Sequence, residues 1–94
     1  MIRQVWKYPL ENPVQTDLMV PVGGEFLDVQ MQGGIPCIWM LVDPEQKKVE
    51  RQFLIVGTGH TVDTEGMMYR GTFQMENLGL VFHLFEYTGT VGPA

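Results

Sequence analysis

Apolar residues recur along this chain at the strand period of two, in short runs punctuated by turn residues. The most regular run is Ile35 to Val42, which sets Cys37, Trp39 and Leu41 on one face and Ile38, Met40 and Val42 on the other. Leu80 to Phe85 repeats the pattern, with Leu80, Phe82 and Leu84 opposite Val81 and Phe85. A strand apolar on both faces needs cover on both. Few segments have a helical period that could supply it, so the pattern predicts that a second copy of the chain covers one face.

The other runs complete an all-β reading. Ile2 to Tyr8 is stopped by Pro9, and Gln15 to Val20 by Pro21. Glu25 to Met31 leads into Gly33-Gly34, a hairpin signal because both glycines accept positive φ. After the polar turn Asp43 to Lys48, Val49 to Val56 returns with Arg51, Phe53 and Ile55 on one face. These three runs are expected to form a meander. Tyr69 to Met75 and Leu80 to Tyr87 are joined by Glu76-Asn77-Leu78-Gly79, a second hairpin loop. The expected fold is a small antiparallel β-sandwich or barrel of about six to seven strands. It forms one domain over residues 1–94, with a frayed tail from 88 to 94, and assembles as a homo-oligomer.

Composition narrows the partners. Of 94 residues, 45% are hydrophobic and only 18% charged, a shortage of surface charge that favours burial between copies. The net charge of −5 excludes the basic footprint that binding a nucleic-acid polymer requires. No segment approaches the ~20 apolar residues of a membrane helix, and the start of the chain carries no secretory h-region. The single cysteine, Cys37, sits mid-strand and reads as a small core residue of a reduced, cytoplasmic protein.

Candidate chemistry is sparse. The chain has no serine, and Cys37 has no adjacent base, so no catalytic nucleophile is assigned. His60 and His83 lack the companions of a metal site, and neither a metal nor another cofactor is expected. Binding is better supported. Arg51 and Arg70 lie within strands, where a guanidinium grips an anion bidentately, or pairs across strands with Glu50, Asp28 or Glu86. The turn Gly57-Thr58-Gly59-His60 adds backbone and side-chain donors at a strand end. Trp6 and Tyr8 offer rings for stacking on a base.

Five segments carry a family resemblance: Trp6-Lys7-Tyr8, Ile35-Pro36-Cys37-Ile38-Trp39, Leu41-Val42-Asp43-Pro44, Ile55 to His60, and Gly71-Thr72-Phe73-Gln74. With them the chain resembles a family of short phage and prophage proteins that has no assigned enzymatic activity. The resemblance implies an anti-defence accessory protein acting in the host cytoplasm. The expected function is therefore sequestration: a homo-oligomer that binds a small nucleotide-derived anionic ligand without turning it over. Arg51, Arg70, Gly57, Thr58, Gly59, His60, Trp6 and Tyr8 are its expected ligand residues. Two alternatives stand beside it, a protein-interaction module that inhibits a host protein and a small hydrolase using His60 with a nearby acid.

Overall fold

The computed structural model describes residues 1–89. Seven strands follow in order: β1 (Gln4–Pro9), β2 (Gln15–Pro21), β3 (Glu25–Gln32), β4 (Ile35–Val42), β5 (Lys48–Gly57), β6 (Met67–Met75) and β7 (Leu80–Tyr87). One turn of 3-10 helix, Glu76–Leu78, links the last two. Two antiparallel sheets result, with orders β1-β4-β3 and β2-β5-β7-β6. They pack face to face and do not close into a barrel. Among the described residues no helix is long and apolar enough to cross a membrane. The expected tail is tied at its first residue, where the Thr88 amide donates to the Gly66 carbonyl (2.9 Å); residues 90–94 lie outside the described residues.

The strands form where the alternation puts them, but the expected meander breaks after β4. The β3–β4 hairpin forms around Gly33 and Gly34, both at positive φ. However, β4 is the central strand of its sheet, and β1 and β3 occupy both of its edges. With no edge of β4 left to pair, β5 crosses to the other sheet. The turn Asp43–Gln46 makes the crossing: Asp43 accepts from the Glu45 amide (3.0 Å) and from the Gln46 amide through its carbonyl (3.1 Å). Pro44 occupies the second position of that turn, where its fixed φ fits.

The core lies between the sheets. Ile38, Met40 and Val42 of β4 meet Phe53 of β5, Phe73 of β6 and Leu84 of β7. On the second face of β4, Cys37 is covered from within the chain, while Trp39 and Leu41 are half-buried and Ile35 is exposed. Lys7 stands opposite Trp39 on one side and Gln32 opposite Ile35 on the other. Their side chains hydrogen-bond at 2.7 Å, spanning β4 above Cys37 and leaving that thiol 2% exposed.

Two irregularities shape the inner layer, both on edge strands. β3 bulges at Leu27 and β6 at Arg70. On β6 the extra residue lets Arg70 turn inward while Gly71 takes the place opposite Leu84. Gly71 has φ +153°, and a Cβ there would stand 2.9 Å from Val29 Cγ1. Only glycine lets β3 and β6 approach this closely.

Candidate functional site

Arg51 and Arg70 project between the sheets and converge on Glu86. Arg51 donates through Nε and Nη2 to the two carboxylate oxygens of Glu86, at 2.5 and 2.9 Å. Arg70 donates to the same carboxylate through Nε (2.8 Å) and Nη2 (2.7 Å). Arg51 Nη1 also reaches the Gly24 carbonyl (2.5 Å), and the Arg70 guanidinium lies 5.7 Å from the Phe26 ring centroid. Register explains the meeting, because Phe53 pairs with Glu86 and Met68 stands beside it, while the β6 bulge brings Arg70 round. Glu86 is 3% exposed. Burial pushes its carboxyl up, but hydrogen bonds and charge from the two arginines outweigh that and hold it below its ordinary value of 4.5.

Tyr8 borders this triad. Its hydroxyl donates to the Met19 carbonyl (3.2 Å), tying β1 to β2 across the layers. Burial raises its pKa, and the Arg51 charge opposes the shift. Trp6 stands 6.4 Å from the Tyr8 ring, donates to Gln4 (2.8 Å) and is covered by Lys48 at 5.6 Å. Both rings are half-buried, each packing one side against the core.

The turn at Gly57–His60 lies at the far end of β5, six residues from Arg51, or roughly 20 Å along an extended strand. The expected ligand residues therefore form two groups. In the turn, the Thr58 amide donates to Val81 (3.2 Å) and the His60 amide to Gly57 (3.1 Å), with Gly59 at φ +88°. The His60 ring folds back to 3.6 Å from where a Gly57 side chain would begin. Thr58 instead meets His83, which lies half-buried on the outer face of the four-stranded sheet.

A row of hydrogen bonds crosses this face through His83. Thr58 Oγ1 donates to the Val81 carbonyl (3.3 Å) and pairs with His83 Nε2 (2.7 Å). His83 Nδ1 pairs with Thr72 Oγ1 (2.9 Å), which pairs in turn with the Tyr69 hydroxyl (2.5 Å). Apolar residues flank this polar row, with Gln15, Asp17, Glu50, Gln52 and Gln74 beyond them on the same face. Leu54, Val56, Val81 and Phe85 are half-buried there, Tyr69 packs edge-on to Phe85 at 5.7 Å, and Tyr87 is 48% exposed. Among the described residues no three His, Cys, Asp or Glu side chains gather to hold a metal ion.

A family model described as a domain of unknown function, DUF7352, matches residues 1–92. The chain belongs to the DUF7352 family. The family match carries neither an origin nor an activity. No curated protein matches the chain, and no solved structure matches it.

Proposed function

We propose that this DUF7352 protein is a non-catalytic binding protein that works as an assembly of its own copies, joined through the outer face of the β2-β5-β7-β6 sheet. One observation carries the reading: the middle of that sheet's outer face is largely apolar, with Leu54 paired to Phe85 and with Val56 and Val81 flanking His83. A polar outer face is what a lone sandwich needs, and a contiguous apolar one marks a contact surface. The polar row through His83 crosses it and gives the contact a fixed orientation. Light scattering at micromolar concentration should show a dimer or larger species. Phe85→Glu should split it, because a buried unpaired charge costs several kcal/mol. A monomeric parent protein would overturn the reading.

A second reading, sequestration of a small anionic ligand without turnover, has its own support. The triad sets two guanidiniums against one carboxylate, so an anion arriving there meets net positive charge. Titration calorimetry with a nucleoside diphosphate tests it. Arg70→Ala should weaken binding by roughly 1.5–3 kcal/mol if the guanidinium holds phosphate. Unchanged binding would make Arg70 an ion-pair partner only.

A further inference from the structure

The two ends of the layer between the sheets are built differently. At one end stand Arg51, Arg70 and Glu86, which close it with charge. At the other, where the β3–β4 and β6–β7 hairpins turn, the lining is mostly apolar. A cleft of about 510 Å³ opens there, walled by Leu10, Pro36, Ile55, Met75 and Phe82. A neighbouring hollow of about 570 Å³, running to Met31 and Leu78, shares Gly34 and Met75 with it. Gly34 has φ +82°, and a Cβ on it would meet no atom within 4 Å. The rim keeps large apolar groups in water, with Ile35 45% and Leu78 66% exposed.

We infer that this cleft is a binding site for a small apolar molecule, uncharged or cationic. Its volume falls within the ~300–1,000 Å³ of small-ligand sites, and such sites combine apolar walls with a few polar groups. The polar groups here are the amides of Gln74 and Asn77 and two carboxylates, so the charged ones are of one sign. Glu11 lines the first hollow and Glu76 the second, while none of the chain's six lysines and arginines lines either. Arg51 and Arg70 are engaged by Glu86 and Arg3 by Glu25, and Lys7, the cation nearest the rim, is held by Gln32 opposite Ile35. An anion entering the cleft would lose its hydration against two carboxylates. A neutral ring system loses only unfavourable contact with water, and a cationic one gains an acidic rim.

The probe is N-phenyl-1-naphthylamine, a neutral apolar dye whose fluorescence rises on leaving water. It should bind saturably at one site per chain, and the anionic dye 8-anilinonaphthalene-1-sulfonate at least tenfold more weakly. Ile35→Glu, at the exposed rim, should reduce affinity for the neutral dye at least tenfold, whereas Val5→Glu, on a distant outer face, should leave it unchanged. Phe85→Glu should also leave it unchanged, which separates this site from the contact surface proposed above. Amide shifts on dye addition should fall at Ile35, Met75 and Phe82, a readout that does not depend on any variant folding. Equal binding of the two dyes, unaltered binding by a folded Ile35→Glu, or shifts confined to Leu54, Val56 and Phe85 would each overturn the inference.

Discussion

Removing the Glu86 carboxylate would leave two guanidiniums facing each other in the sandwich interior, and each would keep its desolvation without its partner. Glu86→Gln should therefore lower unfolding free energy by about 3–5 kcal/mol, measured by urea denaturation. The pH dependence follows from the same contacts. The folded carboxyl lies below its ordinary value of 4.5, so its contribution is complete above that value and is lost as pH falls through the lowered one. Between neutrality and pH 5 the parent should be level in this respect, then lose stability on further acidification; Glu86→Gln should lack that component. Much of this was readable beforehand. Alternation alone put Arg51 on the face of Phe53 and Ile55, and Glu86 was among the carboxylates weighed against it. The choice among Glu50, Asp28 and Glu86 depended on β5 pairing with β7, and pairing between strands distant in sequence has no local signal.

All seven strands were legible from period-two alternation and their turn residues, as were the two tight hairpins. The bulges were not, because a bulge adds one residue to a strand without altering its composition. Yet the β6 bulge decides where Arg70 points, and Gly71 beside it decides how near β3 comes. Gly71→Ala would combine an unfavourable φ of +153° with a Cβ 2.9 Å from Val29 Cγ1. A loss of roughly 1–3 kcal/mol is expected. A double-mutant cycle with Val29→Ala separates the two causes: a positive coupling assigns part of the cost to the clash, and strict additivity assigns all of it to the backbone.

At the scale of the whole fold, β3–β4 and β6–β7 are the only hairpins between neighbours in sequence among the described residues. The β1–β4, β2–β5 and β5–β7 pairings each close a long loop before any contact repays it. Refolding from urea should accordingly take milliseconds to seconds in stopped-flow fluorescence of Trp6 and Trp39, and not microseconds. The same topology explains why the expected ligand residues divide. Arg51 and the Gly57–His60 turn are near in sequence but stand at opposite ends of one extended strand. The apolar cleft escaped the sequence reading for another reason: Ile55, Met75 and Phe82 alternate just as buried core residues do, and alternation says which face a residue takes, not whether anything packs over it.

Each sheet of a sandwich ends in two strands whose outer backbone groups are unpaired, and such margins recruit further strands and seed fibres. Here all four margins carry an obstacle. The β3 and β6 margins are broken by the bulges at Leu27 and Arg70, β1 ends in Pro9, and β2 is bracketed by Pro13 and Pro21. A proline supplies no amide to an incoming strand, and a bulge twists the ladder out of register. These obstacles disfavour edge-to-edge polymerisation and leave the sheet faces as the surfaces for association. The bulge that brings Arg70 to Glu86 therefore has a second consequence, felt outside the core: it spoils the β6 margin as a template for amyloid.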